Sequence, residues 1–154
     1  MLHNFNVKLE WEKLNEGNSK RISKSHKVLI DGKPHLDVSA AKSFKGDPAL
    51  YNPEDLLLSS LTSCHMMSYL YCCSISDIDV IAYQDESEAI LEVNPDGSGK
   101  ITKVILRPRV EIRDEKFKKL AMELHQKASE LCFIANSCNF PVDHEISIEV
   151  RSED

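Results

Sequence analysis

The chain has 154 residues, 42% of them hydrophobic and 29% charged, enough to bury the core of a single domain over 1–154. Its net charge is −6, its lysines and arginines are scattered and its aromatics are few, which excludes a nonspecific nucleic-acid binder. Met1–Asn15 carries neither the basic nor the apolar stretch of a secretory signal, so a cytoplasmic protein is expected.

Val7–Trp11 and Lys27–Ile30 read as strands on either side of the polar stretch Asn15–Ser25. Asp31-Gly32-Lys33-Pro34 predicts a turn, and His35–Val38 the returning strand of a hairpin. Phe44–Tyr51, with Gly46 and Pro48, reads as a loop. Asn52 then suits a helix N-cap, Pro53 the first helical position, and Glu54 and Asp55 the positive end of the helix dipole. This helix is predicted to run to about Cys73. Its apolar positions, from Leu56 through Leu61, Cys64 and Met67 to Tyr71, spread around most of its circumference, as in a helix central to a fold. Leu56–Ser76 is uncharged, but eight serine, threonine and histidine positions make it too polar for a lipid-facing span.

Ile78–Val93 and Lys100–Ile112 read as strand-like runs joined by the turn residues Asn94–Gly99. A second helix is predicted from Asp114 or Glu115, with Phe117, Leu120, Ala121, Leu124, Ala128 and Leu131 at helical spacing. Asn139–Pro141 turns the chain, and Ile146, Ile148 and Val150 alternate as a last strand. Strands, helix, strands, helix and strand in that order predict an α+β fold.

The chemistry in this pattern lies in sulfur. Five cysteines in a reducing compartment serve transient redox chemistry more often than structural bridges. Cys64 lies in the middle of the first helix, and Cys132 at or just beyond the end of the second. Cys72 stands roughly 12 Å along the helix from Cys64, beyond the ~7 Å that a disulfide spans. Cys72 and Cys73 are adjacent, where a bridge is strained, and read as helix-end packing. Cys64 is thus left with Cys132, Cys138 or a thiol from another molecule. His65 follows Cys64 directly, but neighbours on a helix point about 100° apart, so a hydrogen-bonded structural role is expected for it. A mid-helix thiol receives no help from the helix terminus, and a nearby cation has to stabilise its thiolate. Arg21, Lys24, His26 and Lys27 are the candidates. Phosphate-binding glycine loops, nucleophile elbows and C-x-x-C motifs are missing, and the six histidines show no metal spacing. A zinc site from Cys64, His65 and Cys132 is conceivable but has no paired-ligand motif behind it.

Phe44-Lys45-Gly46-Asp47, Asn52-Pro53-Glu54-Asp55-Leu56-Leu57, Ser63-Cys64-His65-Met66, Cys132-Phe133-Ile134-Ala135-Asn136-Ser137 and Phe140-Pro141-Val142 together resemble the OsmC/Ohr family, the osmotically inducible and organic-hydroperoxide-resistance proteins. Order and spacing match over nearly the whole chain, and the wording around the cysteines is closer to an OsmC-like branch than to Ohr proper. The resemblance implies two long central helices wrapped by antiparallel sheets in an intertwined homodimer, with active sites at the dimer interface. It implies thiol-dependent reduction of organic hydroperoxides without a metal or organic cofactor. Cys64 would attack the peroxide, Cys132 would resolve the sulfenic acid as a disulfide, and an external dithiol would reduce that disulfide. Glu54 would hold a cation beside the thiolate.

Relatives usually carry arginine two residues before the histidine of the N-terminal strand, where this chain has Lys24; Lys24 or Arg21 is then the cation. Lysine lacks the planar fork that bridges a carboxylate and a thiolate together. The family often has histidine three residues before the second cysteine, where this chain has Ser129. Glu54 and Cys64 on one straight helix stand about 15 Å apart, so a composite site is expected in which a second chain supplies Glu54 or the cation. An apolar pocket from Leu61, Met67 and Phe133 is expected for alkyl substrates. The alternative is a redox-sensing or small-molecule-binding protein on the same fold without efficient turnover.

Overall fold

The computed structural model describes residues 1–13 and 22–151, and Arg21 lies outside the described residues. The chain divides into two compact units, Met1–Leu57 and Leu58–Asp154.

In the first unit β1 (Lys8–Glu10), β2 (His26–Leu29) and β3 (Leu36–Val38) form an antiparallel sheet in that order. The β2–β3 turn closes through the Lys33 N–H on the Ile30 carbonyl, and Gly32 takes the positive φ of 72° that favours glycine. A single 3₁₀ turn, Lys42–Phe44, follows β3. The next loop needs its glycine: a Cβ on Gly46 would stand 1.6 Å from the Ala40 carbonyl oxygen. Helix α1 (Pro53–Ile75) starts at the predicted cap, where Asn52 Oδ1 accepts the Asp55 N–H at 2.8 Å and Asn52 Nδ2 donates to the Asp55 carboxylate at 2.7 Å.

In the second unit each long strand-like run of the sequence becomes two strands. Ile78–Val93 yields β4 (Val80–Asp85) and β5 (Glu88–Val93), and Lys100–Ile112 yields β6 (Gly99–Leu106) and β7 (Pro108–Ile112). Polar corners cause the splits. Asp85 accepts the Arg107 backbone N–H at 2.8 Å, and the Arg107 guanidinium donates to Glu88 at 2.9 Å and Glu145 at 3.0 Å. Helix α2 (Lys118–Leu131) follows a 3₁₀ turn capped by Asp114, and the short helix α3 (Phe133–Asn136) follows directly. Two more strands end the unit, β8 (Val142–His144), which periodicity does not reveal, and β9 (Ser147–Val150).

The strands form two sheets, in the orders β4-β7-β9 and β5-β6-β8. Each is the expected antiparallel pair, extended by one parallel strand, β9 on β7 and β8 on β6. The stretch from β7 to β8 contains α2, and a long crossover of this kind lets a strand return parallel. Two apolar clusters result. Tyr69, Cys73, Val110, Ile112, Ala121 and Ile148 belong to one, and Leu61, Val104, Leu106 and Cys132 to the other. The buried stripe of α1 runs from Leu61 in the second cluster through His65 to Tyr69 in the first, at a spacing of four residues. Mixed helix and sheet with two long helices gives the α+β architecture read from the sequence.

Candidate functional site

Cys64 and Cys132 come together in the second unit. Cys64, half-buried on α1, packs against the cluster that holds Cys132, close enough that it helps to raise the Cys132 thiol. Cys132 is fully buried between the end of α2 and the start of α3, and its sulfur accepts the Ala135 N–H at 3.4 Å. Burial is the main cause that pushes its thiol up to about 11, because a thiolate loses hydration there. Cys138 is half-buried and donates to the Ile134 carbonyl at 3.2 Å, and burial raises its thiol as well. Cys72 and Cys73 are buried core residues with thiols raised by burial, in keeping with packing roles.

His65 does not face the thiols. It is buried, and its Nε2 lies 3.0 Å from Nδ1 of His125 on α2. The zinc arrangement of Cys64, His65 and Cys132 is therefore not formed, and among the described residues no group of three or more His, Cys, Asp or Glu is placed to hold a metal ion. His125 is stacked on Tyr69 with centroids 3.8 Å apart, and His144 tilts against His65 at 4.6 Å. Burial, joined by the neighbouring imidazoles, lowers His65 to about 4 and His125 to about 3. His144 is lowered by burial too, against the opposing pull of Asp85 and Asp143. All three rings are uncharged at neutral pH. Reading the sequence missed His125 and His144. The first could have been found, since it sits in the stripe of Ala121, Ala128 and Cys132, where a polar residue needs a partner.

Lys24 and Glu54 line one cleft of the first unit, of about 290 Å³, with His26, Ser39, Phe44 and Pro53. The Lys24 ammonium donates to the Phe44 carbonyl at 2.6 Å, and among the described residues it forms no ion pair with Glu54. Glu54 keeps one buried carboxylate oxygen, Oε2, without a hydrogen-bond partner among these residues. Such an oxygen is costly to leave unmet, so the cleft is suited to a cation.

The three residues expected to line an apolar pocket differ sharply in exposure in a single chain. Leu61 is closed into the core, while Met67 is 57% and Phe133 82% exposed. Met67, Tyr71 and Ile75 recur every four residues as an exposed apolar edge of α1, beside Leu70. Among the described residues no helix is long and apolar enough to cross a membrane.

A family model described as OsmC-like protein matches residues 46–147. An uncharacterized protein of Bacillus subtilis, YmaD, is 24% identical over 97% of this chain and 95% of its own length. Among solved structures, an OsmC-like protein of unknown function from Vibrio cholerae superposes with a TM-score of 0.85 at 28% identity, covering 94% of this chain and 99% of the other. An organic hydroperoxide resistance protein OsmC from Legionella pneumophila shares the fold with a TM-score of 0.68 at 21% identity, covering 97% and 98%.

Proposed function

This chain belongs to the OsmC-like protein family, and from that premise we propose that it is a two-cysteine thiol peroxidase for organic hydroperoxides. One observation carries the reading: two cysteines 68 positions apart in sequence come together at one packed cluster, one half-exposed and the other buried. The exposed member, Cys64, is the one a peroxide can reach. Its thiolate attacks the terminal peroxide oxygen, the O–O bond breaks, and the alkoxide leaves with a proton as the alcohol. Cys64 is left as a sulfenic acid. Cys132 then attacks the Cys64 sulfur, the disulfide forms and water leaves. An external dithiol returns both thiols and is itself oxidised to a disulfide. Cys132, held protonated by burial, suits the resolving role better than the attacking one.

Lys24 and Glu54 are proposed as the cation and its carboxylate, with Arg21 as the other candidate cation. The buried Oε2 of Glu54 in the cleft that Lys24 lines supports this pairing once a substrate or a second chain reorders it. The exposed apolar edge of α1 supports a homodimer, because a contiguous apolar stripe is poorly tolerated in water. In that intertwined dimer one chain's Glu54 and cation serve the other's Cys64.

The test adds one equivalent of an alkyl hydroperoxide to the reduced protein, counts free thiols and maps the peptides. A rapid Cys64–Cys132 disulfide is expected, and inert thiols would sink the peroxidase. Mixed dimers of Glu54→Ala and Cys64→Ser subunits should regain activity if the site is composite; failure to complement removes that part. A redox sensor without efficient turnover is the second reading, favoured by the buried, protonated Cys132, which slows closure of the disulfide. Rapid oxidation that no dithiol reverses would select it.

A further inference from the structure

His65 is the residue after Cys64, and His125 stands seven residues, about two helical turns, before Cys132. Both histidines are 1% exposed. They meet at 3.0 Å, so α1 and α2 are joined by a directional bond one residue along from Cys64 and about two turns before Cys132. Tyr69, one turn further along α1, stacks on His125 and donates its hydroxyl to the Ala121 carbonyl of α2 at 3.0 Å. On β8, His144 leans on His65 and places its Nε2 3.1 Å from Ser129 Oγ. The one proton of Ser129 goes to the His125 carbonyl at 3.0 Å, so Ser129 accepts from His144, whose ring proton is therefore on Nε2.

Apart from the Tyr69 hydroxyl, the other buried side chains of α1 and α2 are apolar or thiol: Leu61, Cys72, Cys73, Ala121 and Ala128. Apolar side chains tolerate a small slip, whereas a bond between buried rings does not, because a slip leaves polar nitrogens unmet. A disulfide is equally exacting, with Cα atoms between about 4.4 and 6.8 Å apart. The polar layer thus lies where register matters most, between the apolar cluster that contains Cys132 and the one that contains Tyr69.

We propose that His65, His125, His144 and Ser129 form a positioning clamp that fixes α1 against the end of α2 and so holds Cys64 and Cys132 within disulfide reach. None of the four touches the peroxide. The use of the clamp in turnover rests on the two-cysteine reading above, but its geometry can be measured without any peroxide.

The experiment equilibrates the protein in buffers of glutathione and glutathione disulfide. One glutathione disulfide takes two electrons from the Cys64 and Cys132 thiols, which release their protons, and the products are the protein disulfide and two glutathiones. Acid quenching, alkylation and peptide mapping read the fraction joined. His65→Leu and His125→Leu are compared with the double variant His65→Gln/His125→Asn, whose amides stand near the two ring nitrogens and can rebuild the bond. Each leucine variant is expected to lower the disulfide equilibrium constant by about ten-fold, the loss of one well-made buried bond. The double amide variant should recover most of that loss, which a general loss of stability would not allow. Ser129→Ala, a milder change that keeps the fold, is expected to give about a three-fold loss.

Unchanged equilibria in Ser129→Ala and in the folded leucine variants would overturn the clamp. So would an amide pair that folds like wild type yet restores nothing. If alkyl hydroperoxide leaves Cys64 untouched in every protein, the peroxidase reading fails while the glutathione titration still decides the clamp.

Discussion

Cys64 packs against the cluster that holds Cys132, yet the two thiols sit in unlike surroundings, one sealed in the core and one half-open. Burial keeps Cys132 protonated to about 11. Near neutral pH a soft alkylating agent should therefore label Cys64 first, with Cys132 slower by about ten-fold or more. The gap should close as the pH approaches 11. Timed alkylation with peptide mapping reads both rates, and equal labelling at neutral pH would remove the division of labour between the thiols.

Lys24 tests how much the cleft contributes to reactivity. A lysine offers a point charge where an arginine offers a fork. Lys24→Ala should slow the oxidation of Cys64 by alkyl hydroperoxide by about ten-fold with little change in Tm, since Lys24 makes its contact to a backbone carbonyl in an exposed region. Lys24→Arg should match or exceed the wild-type rate. Stopped-flow oxidation gives the rates; if Lys24→Ala is as fast as wild type, the charge that activates Cys64 comes from elsewhere, with Arg21 the first residue to try.

The clamp should also show in the acid stability of the fold. In the unfolded chain histidine takes up its proton near pH 6.5, whereas in the folded protein His65 does so near 4 and His125 near 3. As pH falls below 6.5 the unfolded state binds more protons, so stability falls. The contribution of the two rings is whole above about pH 6.5 and is lost progressively toward pH 4 and below. His65→Gln/His125→Asn has nothing to titrate at either position. Its Tm should decline less between pH 7 and pH 4 than that of wild type, and parallel declines would show that the acid limb comes from other groups, His144 or the carboxylates.

Gly46 tests the loop that carries the Lys24 acceptor. An added Cβ would stand 1.6 Å from the Ala40 carbonyl oxygen, a backbone atom that cannot swing aside. Gly46→Ala should cost about 2 kcal/mol or more in chemical unfolding. It should also weaken peroxide oxidation of Cys64, because the 3₁₀ turn ending at Phe44 moves with it. A variant as stable as wild type would mean that the loop shifts at little cost.

Much of this was legible in the chain itself. The cap of α1 at Asn52 and the Asp114 cap of the 3₁₀ turn before α2 are local, each set by a side chain within three residues of the backbone that it serves, and the turn at Gly32 is set by the positive φ that glycine allows. The stripe of α2 was equally plain. Less legible were the breaks at Glu86–Ser87 and Arg107, because the bonds that turn the chain there join Arg107 to Asp85, Glu88 and Glu145 across long stretches of sequence. The strand β8 escaped notice for the same reason: three residues show no period, and only the ladder on β6 makes them a strand.

The sequence by itself determined the family, the α+β class and the two thiols worth following, because helix spacing ruled out Cys72 and Cys73 and the motifs around Cys64 and Cys132 are contiguous. Only the tertiary structure decided that these two thiols meet, that Cys132 is the sealed one, and that His65 turns to His125 and away from sulfur. Those facts depend on which residues lie across an interface between elements, and burial, thiol ionisation and ring pairing are all properties of that packing. No local pattern encodes them, since a cysteine or histidine reads the same in sequence whether its neighbour in space is water, carbon or another ring.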